Sequence, residues 1–187
     1  MSEQQQVKAE VTFEKVPVEE REALWEMLQV HLRELSQFDP ELRARHGSIP
    51  YIFFDLYWSD PALRMPFFIL CRGERVGLLL VSEGERPSYG YPFRCVEVSE
   101  IYVAPAFRRR GIGRRAMEFA LSIACERGVP LLWSCYAGNT RALRLYYSFV
   151  AACEVSRPGR VVITGMVDGH GCDRKNFRLE PCSGNDI

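Results

Sequence analysis

The stretch Ile101–Arg115, IYVAPAFRRRGIGRR, concentrates residue types that can hold an anion. An apolar strand pattern runs into Pro105, a basic turn follows, and Gly111 and Gly113 open a long helix. Glycines at a helix start remove side chains where backbone N–H groups converge. Such an end carries roughly half a positive charge and several unpaired donors, which suits a phosphate or pyrophosphate. Arg108, Arg109, Arg110 and Arg114 add positive charge around it. A P-loop is excluded, because no Gly-Lys-Ser/Thr follows at the required spacing. Gly111-x-Gly113-x-x-Ala116 fits the dinucleotide fingerprint formally, but fails on context. That motif needs its glycines directly off a strand and an acidic residue ending the next one, whereas Pro105 to Arg110 intervene and the next strand ends Trp133-Ser134-Cys135-Tyr136.

Several elements must position this loop. Residues 1–10 read as a frayed tail. From Val16 the spacing of Leu24, Met27, Leu28, His31, Leu32, Leu35 and Phe38 predicts an amphipathic helix, stopped by Asp39-Pro40. His31 lies in that apolar stripe and reads as a packed core histidine rather than a catalytic one. A short helix over 41–46 precedes an aromatic block of Tyr51, Phe53, Phe54, Tyr57 and Trp58, laced with Asp55 and Asp60. PFFILC, Arg72-Gly73-Glu74 and RVGLLLVSE form a hairpin pattern, and 83–92 reads as a loop. A strand over 94–103 leads to a helix over 111–127, ended by Gly128 and Pro130. VPLLWSCY is a short buried strand, and Asn139 is a good N-cap for the next helix. Two weaker strands follow, around 152–156 or 160–167 and at 176–179. The pattern predicts one α+β domain over 11–182, with tails at 1–10 and 183–187.

Composition narrows the function classes. The chain has 187 residues, 24 Lys plus Arg against 24 Asp plus Glu, 47% hydrophobic and 26% charged residues. That is an average globular composition, which excludes disordered and fibrous readings. Zero net charge argues against a general nucleic-acid binder, although Arg108 to Arg110 would suit RNA phosphates locally. The seven cysteines are odd in number and without a CxxC pair, so they read as reduced thiols in a cytoplasmic protein. MSEQQQVKAE lacks the apolar core of a signal peptide, and no run is long enough to span a membrane. His170-x-Cys172 with distant Cys182 is a poor metal set, so no metal is expected.

Arg108-x-x-Gly111-x-Gly113, preceded by Ile101-Tyr102-Val103-x-Pro105, resembles the acyl-coenzyme A motif of the GNAT N-acetyltransferase superfamily. Asn139-x-x-Ala142-x-x-Leu145-Tyr146 resembles the family's second motif at its usual spacing. The resemblance implies a mixed, twisted sheet, flanked by helices and splayed between its fourth and fifth strands, with acetyl-CoA as co-substrate in the wedge. It implies that backbone groups of Ile101 and Val103, flanking Tyr102, pair with the pantetheine. N–H groups from Arg109 through Arg110, Gly111, Ile112 and Gly113 to Arg114 would hold the pyrophosphate, beside Arg108. Asn139 and Tyr146 would face the coenzyme from the other side.

In such enzymes an amine attacks the thioester directly, and a lysine-like amine is neutral in only about one part in 2,500 at pH 7. A carboxylate should therefore take a proton. Glu100 is the expected base. Glu97 is the alternative, on the opposite face if the strand is regular, and a bulge would leave the choice open. The Val103 N–H is the expected oxyanion donor and Tyr146 the expected acid for the thiolate. Tyr51, Asp55 and Trp58 sit where the family builds its acceptor site, though the rings equally suit core packing. The chain departs from the family after Leu145-Tyr146, where Tyr147-Ser148-Phe149-Val150-Ala151 lacks the usual glycine, so the helix is expected to run on. Ser134 stands where acetylators of protein N-termini tend to carry glutamate, which favours a small-molecule amine as acceptor. A coenzyme-binding sensor without turnover and a nucleic-acid-associated protein are the competing readings, and a homodimer is left open.

Overall fold

A computed structural model describes residues 10–86, 91–156, 160–168 and 171–180. The order is β1 (Val11–Lys15), α1 (Arg21–Leu35), α2 (Pro40–Ala44), α3 (Leu56–Ser59), β2 (Arg64–Cys71), β3 (Glu74–Arg86) and β4 (Tyr91–Val103). Then come α4 (Ile112–Arg127), β5 (Leu131–Tyr136), α5 (Thr140–Ser156), β6 (Val161–Val167) and β7 (Asp173–Leu179). One seven-stranded sheet runs β1-β2-β3-β4-β5-β7-β6, with β4 and β5 parallel and every other pair antiparallel. The α+β reading and the mixed sheet are both met.

The sheet is covered on both faces. Leu24, Leu28 and Leu32 of α1 pack with Phe68, Leu78, Leu80 and Tyr102 on one side. Ala116, Met117 and Ala120 of α4, with Tyr146, Phe149 and Val150 of α5, pack against Ile69, Leu79, Val98 and Trp133 on the other. The β2–β3 turn is the one its residues demand. Arg72 and Gly73 both have positive φ, 54° and 80°, as a two-residue hairpin turn with right-twisted strands requires.

Three expectations are corrected. Val11–Lys15 is a strand, where the sequence suggested no element before the first helix. Its apolar period is too short to stand out, yet Phe13 stacks on Phe119 of α4 at 4.3 Å. The predicted loop over 83–92 shrinks, because β3 runs to Arg86 and β4 begins at Tyr91. Glu83 can lie buried in a strand because Arg127 Nη1 donates to its Oε2 at 2.8 Å and Arg94 flanks it. The segment 152–156 is helical: without the usual glycine α5 runs to Ser156, as expected, and β6 lies at 161–167.

Cysteines 71, 95, 135, 153 and 172 are not in disulfides, but Cys125 is disulfide-bonded, against the reading that all seven are thiols. His170 and Cys182 of the poor metal set, and nearly all of both predicted tails, lie outside the described residues. No helix among the described residues is long and apolar enough to cross a membrane.

Asp39 ties the helical cover to the end of β5. Its Oδ1 accepts from the N–H groups of Glu41 and Leu42 at 2.9 and 3.2 Å, capping α2, while Tyr136 Oη donates to Oδ2 at 2.9 Å. The residue is 1% exposed. Asp39→Ala removes the cap and strands a buried hydroxyl. A loss of about 1–3 kcal/mol is expected, seen as a lower urea midpoint at unchanged m-value.

Candidate active site

β4 and β5 pair at only three positions, Val96↔Leu131, Glu97↔Leu132 and Val98↔Trp133. Beyond them β4 continues to Val103 and β5 to Tyr136 without pairing to each other, so the sheet splays where the resemblance implied. The Ala104 N–H donates to Val76 O on β3 at 2.8 Å. Antiparallel alternation then turns the Tyr102 peptide groups toward β3 and those of Ile101 and Val103 into the gap. A cavity of about 600 Å³ fills this wedge, within the range of small-molecule sites.

The cavity gathers most of the predicted coenzyme residues. Ile101, Tyr102 and Val103 line one wall, and Asn139 and Tyr146 line the other. Gly111, Ile112, Gly113 and Arg114 form the end formed by α4. Gly111 has φ +80° and Arg109 φ +63°, so the chain enters α4 through two left-handed residues. The first-turn N–H groups of Ile112, Gly113 and Arg114 have no acceptor within the helix. Gly113 also lets α5 approach, since a Cβ there would lie 2.9 Å from Leu145 Cδ2. Asn139 acts through its cap: its Oδ1 accepts from the Ala142 N–H at 3.1 Å and starts α5 at the cavity wall.

Two of the arginines stand differently from the expectation. Arg108 is committed inside the protein: its Nε donates to Val103 O at 2.6 Å, and its Nη2 reaches both Glu34 oxygens at 2.9 and 2.7 Å. It braces the splayed end of β4 against α1 and is not a mobile charge. Arg110 lies over the Phe107 ring at 5.3 Å, outside the cavity, because its turn faces solvent. Arg108, tied to Glu34, is thus not an open member of the three-arginine run that an RNA reading would use. Arg109 and Arg114 do line the cavity, joined by Arg141 and Arg144 of α5, which sequence reasoning missed. A signal was present: the first turns of α4 and α5 carry no acidic residue. Arginines near two positive helix ends are unfavourable unless an anion accompanies them.

The candidate base pairs with a residue that lines this wedge. Glu100 pairs with Leu80 and Val98 with Val81, so Ser99 is an extra residue in β4. This bulge puts Glu97 and Glu100 on the same face of the sheet, against the opposite faces of a regular strand. Their surroundings then separate them. Glu97 is held by Arg86 Nε at 2.5 Å, whereas Glu100 Oε2 lies 2.9 Å from His31 Nε2. His31 is 8% exposed and lines the cavity, so the histidine read as core packing belongs to the site. Its ring lies 5.5 Å from that of Tyr102, and the Arg108 guanidinium lies 5.5 Å from the centre of the same tyrosine ring. Glu100 is thereby linked, through His31 and Tyr102, to Arg108.

Three tyrosines feel the Glu100 charge. Burial first, then Cys135 and Glu100, hold the Tyr146 hydroxyl well above its ordinary value. Burial and then Glu100 do the same to Tyr51, and burial pushes Tyr57 up to about 12. The structure thus brings Tyr51 within electrostatic reach of Glu100. It does not bring Asp55 or Trp58: Asp55 pairs at the surface with Arg21 at 2.6 Å, and Trp58 Nε1 donates to Val16 O at 3.1 Å. Neither lines the large cavity.

Comparison with known proteins agrees with this geometry. No curated protein sequence matches the chain. Among solved structures, the ribosomal-protein-S18-alanine N-acetyltransferase from Escherichia coli matches with a TM-score of 0.59 at 16% identity, over 95% of this chain and 99% of that one. A GNAT-family acetyltransferase from Streptococcus pneumoniae matches with a TM-score of 0.64 at 15% identity, over 92% and 100%. The yncA protein of Salmonella typhimurium, solved with its cofactor acetyl-CoA, gives 0.62 at 18% identity, over 91% and 93%. These likenesses concern the fold. The family description "Acetyltransferase (GNAT) family" matches residues 24–149, more than half of the chain. With the splayed strands, the glycine-opened helix and the second motif all at one cavity, the chain belongs to the GNAT acetyltransferase family.

Proposed function

We propose that this enzyme transfers an acetyl group from acetyl-CoA to the primary amine of a small molecule. The observation that carries the reading is one cavity in which gap-facing peptide groups of β4 and the α4 N-terminus meet His31, the partner of Glu100. The residues fit the coenzyme: the wedge offers unpaired strand edges to its amide arm and two arginine-bearing helix ends to its phosphates. Ile101 and Val103 would hold the pantetheine, and Ile112, Gly113 and Arg114 N–H groups, with Arg109 and Arg144, the phosphates. Bound acetyl-CoA supplies an activated acetyl thioester.

The protein's own groups manage protons and charge. Glu100 takes one proton from the acceptor ammonium, its Oε2 fixed by His31 and its Oε1 left for that proton. The neutral nitrogen then forms a bond to the acetyl carbon as the carbon–sulfur bond breaks. The Val103 N–H meets the charge developing on the carbonyl oxygen. The nitrogen's second surplus proton ends on the departing sulfur. Tyr146, with its hydroxyl kept protonated by burial, serves there as a hydrogen-bond donor rather than a ready acid. A small acceptor is supported by Ser134, whose Oγ accepts from Arg174 at 2.7 Å where N-terminus acetylators tend to carry a carboxylate.

Titration calorimetry of acetyl-CoA against the wild type and Gly111→Asp tests this. Aspartate adds strain at φ +80° and a negative charge at the anion site. Micromolar binding is expected in the wild type, weakened by at least about tenfold in the variant, and thiol release should follow when primary amines are added. Absence of wild-type binding overturns the reading.

A further inference from the structure

A second cavity, of about 130 Å³, lies on the β5–β7–β6 part of the sheet. Strand register defines its floor. Glu97 of β4 pairs with Leu132, Leu132 with Arg178, and Arg178 with Val162. The next rung of the same face is Ser134, Asn176 and Thr164. Because Ser99 bulges, Glu100 shares this face with Glu97, which lines the cavity, so the candidate base and the cavity lie on one side of the sheet.

The two ends differ in charge. Neighbouring strands are about 4.8 Å apart, so the backbones of Glu97 and Arg178 stand roughly 10 Å apart with β5 between them. The β4 end carries two carboxylates, Glu97 paired with Arg86 and Glu100 with His31. The β7 end carries Arg178, packed over Tyr91 at 5.1 Å. Arg178 Nε is 2.7 Å from Glu180 Oε1, yet that buried nitrogen has no well-formed hydrogen bond. Asn176 Oδ1 is also buried without a partner, while its Nδ2 faces only the Met166 sulfur at 2.8 Å. Since amide oxygen and nitrogen are interchangeable in such an assignment, one end of this amide is left with no adequate partner either way. Unsatisfied buried polar groups are costly, and here they line a cavity.

We propose that this cavity receives the tail of the acceptor, and that the tail carries a carboxylate. The proposal rests on the acetyl-transfer reading. The acceptor is then a small amino-acid-like zwitterion, its ammonium at Glu100 and its carboxylate on Arg178, with Asn176 and Thr164 beside it. Size agrees: at ~30 Å³ per water the cavity holds about four waters' worth of volume, enough for a carboxylate and a short linker and too little for a peptide segment.

The test compares short amino acids of two to five carbons with the matching amines that lack the carboxylate, using acetyl-CoA and thiol release. Wild type is expected to favour the amino acids by about tenfold or more in kcat/KM, the scale of one charged hydrogen-bonded contact. Arg178→Glu should erase that preference through acceptor KM, and Arg178→Lys should restore part of it. Unchanged acetyl-CoA affinity by calorimetry shows that each variant is folded. Equal or better turnover of the carboxylate-free amines by wild type, or an unchanged preference in Arg178→Glu, overturns this proposal alone. Acetyl-CoA binding without acetylation of any amine overturns the transfer reading and this proposal with it.

Discussion

Replacing Glu100 by glutamine is expected to lower kcat by about 10²–10⁴-fold, the usual contribution of a positioned general base. The substitution is close to isosteric and leaves the neighbours in place, so acetyl-CoA affinity should not change. Glu100 is singled out by what surrounds it. Its carboxylate meets His31 at 2.9 Å and influences Tyr51, Tyr57 and Tyr146 electrostatically. Glu97, on the same face, is tied to Arg86 and has Ser82 Oγ at 3.5 Å from the same oxygen. Glu97→Gln should therefore cost stability through a half-buried ion pair and leave kcat within a few-fold of wild type. His31 acts through Glu100, so His31→Ala should lower kcat by a smaller factor than Glu100→Gln, at unchanged acetyl-CoA KM. His31→Gln, which can still donate to Oε2, should recover part of it. Wild-type kcat in Glu100→Gln, together with slow turnover in Glu97→Gln, would move the base to Glu97.

The parts of the site that were legible in the sequence are those fixed by backbone chemistry. Gly111 and Gly113 announced the loop that opens α4 because few other residues suit a left-handed entry and a close helix contact. Asn139 announced the start of α5 because its cap is a local bond. The illegible parts depend on which groups meet across the fold. A histidine in a 3.6-residue apolar stripe looks the same whether it touches leucine or a carboxylate, so His31 was read as core. Arg108 looked like free charge because Glu34, its partner, lies on a helix far away in sequence. The Ser99 bulge cannot be read from residue types, yet it decides that Glu97 and Glu100 share a face. Arg141 and Arg144 could have been found from charge alone, since they stand near the wrong end of a helix for a cation.

Gly77→Ala tests how closely β3 must approach β4 for the wedge to hold its shape. Gly77 lies opposite Val103, and a Cβ there would sit 2.1 Å from Tyr102 O, 3.1 Å from its carbonyl carbon and 3.2 Å from Val103 Cα. All three are backbone atoms, so no rotamer change can relieve the clash and the strands must part. Overpacking of this kind costs about 1–3 kcal/mol or more, which for a chain of this size lowers Tm by roughly 2–12 °C. The same shift carries Tyr102, whose peptide lies between the gap-facing groups of Ile101 and Val103. Stability and acetyl-CoA affinity should therefore fall together. Gly113→Ala provides the contrast, because its Cβ would meet only the end of the Leu145 side chain, at 2.9 Å. Leu145 can turn away, so Tm should change little, while the displaced leucine narrows a cavity that it lines and weakens acetyl-CoA binding. A Gly77→Ala protein with wild-type Tm and affinity would mean that the spacing of β3 and β4 is slack, and that the brace from Arg108 to Val103 alone sets the position of the coenzyme strand.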